Sequence, residues 1–237
     1  MDELNRIREA LTIAQRLTVL TGAGVSAASG VPTFRGAGGL WRNRHAQELA
    51  TPDAFANDPS LVWEWYAWRR QVIAGCAPNA AHHTIARWSK RAGFTLITQN
   101  VDGLHERAGT RNVIRYHGSI WTLKCAARCG AADWDDLRVP LARMPPTCPA
   151  CGALARPGVV WFGEAIPPAA ARASQAATAC DIFLSIGTSS VVYPAAGLIA
   201  EAKARGAFTV EINPETTGAR VDVAIAMAAE KALPLLS

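Results

Sequence analysis

Four of the six cysteines are spaced like the ligands of a metal ion. Cys125 and Cys129 form a C-x3-C pair, and after a further 18 residues Cys148 and Cys151 form a C-x2-C pair. Two thiolate pairs on short turns are typical of a tetrahedral zinc site. Four thiolates fill the coordination shell of zinc and leave no position for water or substrate. The spacing therefore predicts a structural zinc ion rather than a catalytic one.

A glycine-rich segment, TGAGVSAASG at residues 21–30, has the spacing of a dinucleotide-binding loop. Gly22, Gly24 and Ala27 fit the pattern G-x-G-x-x-G/A, in which glycines let the backbone approach a pyrophosphate and a following helix offers its N-terminal N–H groups. The same glycines could serve only a tight turn between a strand and a helix. The acidic ribose ligand expected about 20 residues further on is missing, because that region reads WRNRH. The segment favours a phosphate-binding loop but argues against an NAD(P) dehydrogenase.

Further polar side chains follow two other apolar runs. Gln99, Asn100 and Asp102 come directly after residues 94–98, and His117 follows residues 113–116 and precedes a glycine. Open α/β sheets place ligand-binding groups at the carboxyl ends of their strands. A histidine in that position is a candidate general base, although a packing role remains open.

The run WEWYAWRR at residues 63–70 contains Tyr66 and Arg69, which are three residues apart. On a helix, residues i and i+3 share a face, so the phenol hydroxyl and the guanidinium could point into one space. The alternative is a helix on which Tyr66 packs in the core and Arg69 faces water.

Short apolar runs predict the strands that position these side chains. They are nearly continuous in apolar residues rather than alternating, as in strands that are buried on both faces. Helical segments at residues 168–180 and 194–205 separate some of them, which predicts βα repeats. The expected fold class is α/β, with a Rossmann-like, doubly wound parallel sheet. The predicted strands are residues 17–21, 94–98, 113–116, 182–186 and 208–212.

Two segments interrupt the βα rhythm. Residues 36–90 are aromatic and helical in pattern with no strand signal, and residues 119–157 hold the four spaced cysteines among prolines and glycines. Both are interpreted as insertions. The predicted organisation is a Rossmann-like dinucleotide-binding domain of residues 1–35, 91–118 and 158–237, a helical module of residues 36–90 and a zinc-binding module of residues 119–157.

Composition limits the class of protein. Of the 237 residues, 50% are hydrophobic and 18% are charged, which is typical of a globular chain. No apolar run reaches the roughly 20 residues that a membrane span requires. The N-terminal segment lacks the basic start and apolar stretch of a signal peptide, so a cytoplasmic protein is expected. The net charge of +5 weakly favours anionic ligands, with a solvated basic surface as the alternative.

Taken together, the motifs resemble the sirtuin family of NAD-dependent protein-lysine deacylases over essentially the whole chain. They occur in family order, and the likeness is strongest to class III, the group that prefers negatively charged acyl groups. The first cysteine pair departs from the commoner C-x2-C spacing of the family. The motifs are GAGVSAASGVPTFRG, QNVDGLH, YHGS, the paired cysteines, VVWFGE, GTSSVVYP and EINPE.

The resemblance implies that NAD is consumed as a co-substrate. The carbonyl oxygen of an acyl-lysine attacks the nicotinamide ribose, nicotinamide leaves, and free lysine and 2′-O-acyl-ADP-ribose are formed. His117 matches the general base of the family. The residues that match its NAD-binding positions are Gly22, Ala23, Gly24, Ser26, Gly30, Pro32, Thr33, Phe34, Arg35, Trp41, Gln99, Asn100, Asp102, Gly187, Thr188, Ser189, Asn213, Pro214, Glu215 and Ala229.

The resemblance also implies a substrate site. Tyr66 and Arg69 match the pair with which class III members bind an acyl carboxylate, and Ala46 and Ala50 match small residues that widen the acyl pocket. Residues 160–164, VWFGE, resemble the edge that pairs with the substrate backbone, and Val160 matches a residue whose carbonyl holds the substrate lysine N–H. A succinyl or malonyl preference follows, with acetyl as a possible further substrate.

Other functions and partners were weighed against this one. Mono-ADP-ribosyl transfer to protein would use the same NAD site, and a zinc-ribbon nucleic-acid binder would explain the cysteines and charge but leave QNVD and GTSS without a role. The expected partners are therefore acyl-lysine proteins, with no membrane and no specific nucleic acid. The protein is expected to be a monomer.

Overall fold

The computed structural model describes residues 2–33 and 40–236 of the chain. The sequence-predicted site residues Phe34 and Arg35 lie outside this described part. Among the described residues, no helix is both long and apolar enough to cross a membrane.

A six-stranded parallel sheet, in the order β11-β10-β9-β1-β4-β5, forms the larger part of the molecule. The central strands β1 and β9 are buried at every residue, since helices cover both faces. The predicted α/β fold class is confirmed. The strands are β1 Leu17–Thr21, β4 Phe94–Thr98, β5 Val113–Arg115, β9 Ile182–Ile186, β10 Phe208–Asn213 and β11 Val223–Ala226. Strand β11 was not predicted from the sequence.

Alternate side chains of the central strands enter two different cores. Val19 packs with helices α1, α6 and α10 on one face, and Leu20 packs with helix α9 on the other. Such alternation is expected of a doubly wound sheet, in which helices pack on both faces. The helices are α1 Glu3–Ile13, α2 Gly24–Ala27, α6 Ala80–Trp88, α7 Leu104–Arg107, α8 Pro168–Ala177, α9 Leu198–Ala204 and α10 Ala229–Ala232, with 3₁₀ turns at Ala195–Gly197 and Leu233–Leu236.

A smaller antiparallel sheet, ordered β7-β6-β8, shares a third core with three helices. Strands β6 and β8 extend one residue or more beyond residues 119–157, so the antiparallel sheet begins at Gly118 and ends at Val159. Its elements are β6 Gly118–Cys125, β7 Trp134–Asp135 and β8 Ala155–Val159, and the helices are α3 Ala46–Leu49, α4 Pro52–Asn57 and α5 Pro59–Ala74.

The expectation that residues 36–90 contain no strand is wrong in one place. Leu40–Trp41 (β2) and Arg44–His45 (β3) form a short antiparallel ribbon. Arg42 and Asn43 adopt positive φ angles of 49° and 62° in the intervening turn. Such tight turns are set by backbone conformation rather than by an apolar run, so they leave little periodic signal.

Helix α5 carries the WEWYAWRR run and has well-defined ends. The Asp58 side chain accepts a hydrogen bond from the Leu61 N–H, and Pro59 occupies the first turn, where its missing N–H removes no helical bond. Trp63, Trp65 and Tyr66 are buried on this helix.

Candidate active site

A cavity of about 560 Å³ opens at the carboxyl ends of the parallel strands. The loops that follow β1, β4, β5 and β9 line it, together with the end of β10, helix α5 and the segment after β8. This is where open α/β sheets bind ligands. The sequence-predicted residues that line it are Gly22, Ala23, Gly24, Thr33, Tyr66, Arg69, Gln99, Asn100, His117, Val160, Gly187, Thr188, Ser189 and Asn213.

The glycine-rich loop packs directly against the loop that follows β9. A Cβ atom placed on Gly22 would lie 2.7 Å from the Gly187 oxygen, and one on Gly24 would lie 2.8 Å from the Gly187 Cα. Gly187 itself has a φ of +60°. Glycine is therefore required here by the close approach of two loops, in addition to any approach of a phosphate. The helix that the loop opens, α2, has only four residues.

Two amides tie these loops together across the cavity. The Gln99 side chain donates from Nε2 to the Thr188 hydroxyl at 3.0 Å, and the Asn100 side chain donates from Nδ2 to the Gly22 carbonyl at 3.0 Å. Both residues line the cavity. Their amides fix the relative positions of the loops after β1, β4 and β9.

Ser26, Pro32 and Asp102 line a smaller adjoining pocket that shares Asn100 and Arg69 with the large cavity. The Ser26 hydroxyl donates to Asp102 Oδ2 at 2.8 Å. Burial raises the pKa of the Asp102 carboxyl, and the hydrogen bonds that it accepts oppose this rise. The Asp102 carboxyl is thus held by protein donors in the smaller pocket that adjoins the cavity.

His117 has a defined tautomer. Its Nδ1 lies 3.1 Å from the Gln99 carbonyl oxygen, which can only accept a hydrogen bond. Nδ1 therefore carries the proton and Nε2 is left as an acceptor. Burial lowers the pKa of the imidazole, so the neutral form dominates at neutral pH. A neutral imidazole with a free acceptor can take a proton from a hydroxyl group.

Tyr66 and Arg69 are both buried, with side chains that reach the same cavity. The Trp161 indole donates from Nε1 to the Tyr66 hydroxyl oxygen at 2.9 Å. The Arg69 guanidinium lies 5.4 Å from the centre of the Trp65 ring. Burial raises the pKa of Tyr66 to about 12, so the phenol stays protonated. The alternative in which Arg69 faces water is wrong.

The four predicted metal ligands form a compact cluster. All four Sγ atoms lie within 4.8 Å of one another, with Cys125 to Cys151 at 3.6 Å and Cys129 to Cys148 at 3.8 Å. Zinc–sulfur bonds of about 2.3 Å at tetrahedral angles place sulfur atoms about 3.8 Å apart. The cluster therefore fits one structural zinc ion, and the C-x3-C spacing does not prevent this.

Several predicted residues lie away from the cavity. Among the described residues, Gly30, Trp41, Pro214, Glu215 and Ala229 line neither pocket. Trp41 is buried with its ring 6.4 Å from that of Trp68, and Ala229 is buried in α10. Pro214 and Glu215 are exposed beyond β10.

Sequence reasoning missed part of the lining. In the motifs VVWFGE and GTSSVVYP it selected only Val160 and the residues up to Ser189, although both motifs continue along the cavity wall. Ala50 lines the cavity as expected, whereas Ala46 is buried in α3 outside it. Trp161, Phe162, Gly163 and Glu164, which lie in the predicted VWFGE edge, line the cavity without having been named individually. The missed lining residues are Gln47, Val101, Val159, Ala165, Ile166, Val192, Tyr193 and Pro194.

Known proteins resemble this chain in sequence over most of its length. The model of the Sir2 family matches residues 22–194. The NAD-dependent protein deacylase of Aquifex aeolicus is 51% identical over 203 residues, which are 85% of this chain and 84% of that protein.

Solved structures resemble the whole chain. A mutant Sir2 homologue in complex with 2′-O-acetyl ADP ribose superposes with a TM-score of 0.93 and 43% identity, covering 100% of this chain and 95% of that one. A complex of Sir2, a p53 peptide and NAD⁺ superposes with a TM-score of 0.87 and 28% identity, covering 99% and 96%.

Proposed function

The chain belongs to the Sir2 family, and we propose that it is an NAD-dependent protein-lysine deacylase that prefers acyl groups ending in a carboxylate. One observation carries the proposal: Tyr66 and Arg69 line the same cavity as His117. A hydroxyl donor and a guanidinium share one cavity with a candidate base, which suits succinyl-lysine and malonyl-lysine. This is the acyl preference of the class III members that the sequence resembles.

The loop side of the cavity is proposed to bind NAD. Gly22 and Gly24 line this side of the cavity, and Thr188, Ser189 and Asn213 offer polar groups along the wall. Gln99 and Asn100 would orient the ribose and nicotinamide portion. When bound, NAD supplies an ADP-ribosyl group that can accept the acyl group once nicotinamide has left. Similarity to a protein solved with NAD⁺ and a peptide supports this assignment.

His117 is proposed as the general base. Its Nδ1–H is held by the Gln99 carbonyl, so Nε2 is free to accept a proton from a ribose hydroxyl. Val160 follows β8 beside it, and its N–H donates to the His117 carbonyl at 2.9 Å. This bond fixes the Val160 backbone beside His117. The Val160 carbonyl is then proposed to accept a hydrogen bond from the N–H of a substrate lysine.

Acyl selection is proposed to rest on Tyr66 and Arg69. A guanidinium can donate two parallel hydrogen bonds to a carboxylate, and the protonated phenol can donate a third. The acetyl group has no carboxylate and gains none of these bonds. The cysteine cluster would hold zinc as a structural cross-link, outside the cavity lining.

The proposal is tested by one assay with NAD and four peptides of the same sequence that carry acetyl, malonyl, succinyl or glutaryl lysine. Mass spectrometry follows nicotinamide and 2′-O-acyl-ADP-ribose. We expect both products, with faster turnover of the carboxylated peptides. In a parallel reaction with NAD labelled in its ADP-ribose portion, retention of the label on protein would instead indicate ADP-ribosyl transfer.

The Arg69→Met variant tests acyl selection separately from the proposed base His117. We expect the ratio of desuccinylation to deacetylation, each as kcat/KM, to fall about ten- to a hundredfold, because charged hydrogen bonds to the carboxylate are lost. Arg172→Met, the same change at an exposed position of α8, should leave the ratio unchanged. Equal loss of both activities in Arg69→Met would remove Arg69 from acyl selection.

A further inference from the structure

We propose that Trp161, clamped by the Arg156–Glu164 ion pair, is a positioning residue that aims the Tyr66 hydroxyl at the acyl carboxylate. The inference rests on the proposed function, in which Tyr66 contacts that carboxylate. It adds three residues outside helix α5 to the acyl selectivity of the site.

The contact between Trp161 and Tyr66 has only one possible polarity. An indole N–H can only donate, so the Tyr66 oxygen accepts at 2.9 Å. The phenol hydrogen must then lie along another direction. Both side chains are buried, at 3% exposure each, and both line the cavity. A ligand carboxylate in the cavity is placed to accept this hydrogen.

The Trp161 ring is itself held in place. The Arg156 guanidinium lies 3.4 Å from the centre of the ring. Glu164 receives hydrogen bonds from two Arg156 nitrogens, at 2.6 Å and 2.8 Å. Glu164 Oε2 also accepts from the Trp161 backbone N–H at 2.8 Å. A planar, bidentate pair stacked on the indole fixes its orientation.

The ion pair is shielded enough to act as a rigid support. The Arg156 and Glu164 side chains are 11% and 21% exposed. Ion pairs on an open surface hold side chains weakly, whereas partly desolvated bidentate pairs hold them well. Burial disfavours the charge of Glu164, but the hydrogen bonds from Arg156 and the Trp161 N–H outweigh it and lower the pKa of this carboxyl. The clamp is therefore charged at neutral pH.

Helix α5 supports the other side of the Tyr66 ring. The Trp65 and Trp63 rings lie 4.6 Å and 6.3 Å from it, both edge-on. These contacts fix the ring plane, but they contain no donor or acceptor for the hydroxyl. The hydrogen bond from the Trp161 N–H is what orients the Tyr66 hydroxyl.

A double-mutant cycle tests the inference. Trp161→Phe removes the indole N–H and keeps an aromatic ring against Arg156. Tyr66→Phe removes the hydroxyl. The two single variants and the double variant are compared by the ratio of kcat/KM for succinyl-lysine and acetyl-lysine peptides of one sequence. Thermal melting verifies that each variant is folded.

We expect Trp161→Phe to lower the ratio about two- to tenfold, the effect of one neutral hydrogen bond. In the Tyr66→Phe background the same change should have no further effect on the ratio, because the oriented group is already absent. Arg156→Lys, which keeps the charge but loses the planar fork, should lower the ratio in the same direction.

The outcomes separate the two proposals. A selective wild type whose ratio is unchanged by Trp161→Phe, or in which the two losses simply multiply, overturns the positioning role and leaves the proposed function standing. A wild type that does not favour the succinyl peptide overturns the proposed acyl preference and the positioning role with it.

Discussion

At the scale of single residues, the state of His117 is decided by one hydrogen bond and by burial, and the sequence identifies neither. Its Nδ1–H is directed to the Gln99 carbonyl, and burial favours the neutral ring. Two other histidines, His82 and His105, are also buried, and burial lowers the pKa of each to about 3. The centres of their rings lie 4.8 Å apart. The Ser26 hydroxyl contacts His82, and the Thr21 hydroxyl contacts His105.

The pH dependence of turnover follows from the environment of His117. A general base must be neutral, and its lowered pKa keeps it neutral to a lower pH than an exposed histidine. We expect the acid limb of kcat/KM to have its midpoint below about 6.5, the ordinary pKa of histidine. A pH–rate profile measures it. Because burial lowers the pKa of His82 and of His105 to about 3, a limb with its midpoint well above that value belongs to His117 and not to them.

Two variants complete this test. His83→Gln changes an exposed histidine on helix α6 and should leave the acid limb in place. His117→Tyr should abolish acyl transfer while the protein remains folded. Appreciable formation of 2′-O-acyl-ADP-ribose by a folded His117→Tyr protein would remove His117 from the mechanism.

At the scale of elements, helix α5 contacts both the cavity and the small antiparallel sheet. One side carries Tyr66 and Arg69 to the cavity. The adjacent Arg70 joins the helix to the small sheet: it donates to the Ile120 carbonyl at 2.7 Å and to the carbonyls of Asp136 and Arg138. The Trp63 indole adds a bond to the Ala155 carbonyl at 2.8 Å. The acyl side of the cavity is thus fixed to β6 and β8.

Arg70→Met should weaken this joint. The Arg70 side chain is 1% exposed, so its loss leaves buried carbonyls without their donor. We expect the free energy of unfolding to fall by roughly 2 to 5 kcal/mol, as measured by urea denaturation. Arg172→Met on exposed α8 is the matched control and should change it by less than about 0.5 kcal/mol. If the two variants unfold alike, Arg70 does not secure the helix.

At the scale of the whole molecule, the cavity lies between two differently built parts. The parallel sheet supplies residues at the carboxyl ends of five strands, and the third core supplies α5 and the segment after β8. Cys125 ends β6, and Cys148 and Cys151 precede β8. A zinc ion at this cluster would therefore join the strands that support Trp161 and Tyr66.

Zinc content gives the test at this scale. Protein purified without chelators should contain about one zinc ion per chain, measured by elemental analysis. Cys148→Ser should lower that content and the melting temperature, since metal binding contributes to folding. Cys180→Ser changes a buried cysteine outside the cluster and should retain the metal. Equal zinc content in both variants would contradict the assignment.

Local sequence was enough for features whose signal is a pattern along the chain. The apolar runs determine buried parallel strands, because a strand covered on both faces has no polar side. Cysteine spacing determines the metal cluster, because each pair sits on one short turn. Strand β11 was missed because two of its four residues are alanine, which is depleted in strands. The β2–β3 ribbon depends on positive φ angles that no periodicity records.

The sequence by itself determined the α/β fold and the presence of a cysteine cluster, and it brought Tyr66 and Arg69 to one helix face. Only the tertiary structure decided which groups meet across the cavity. The bond from Trp161 to Tyr66 joins residues 95 positions apart, and the bond from Gln99 to Thr188 joins residues 89 positions apart. Local propensity cannot encode such contacts, because their geometry depends on how separate elements pack. Burial, and with it the protonation of His117 and Tyr66, is settled at the same stage.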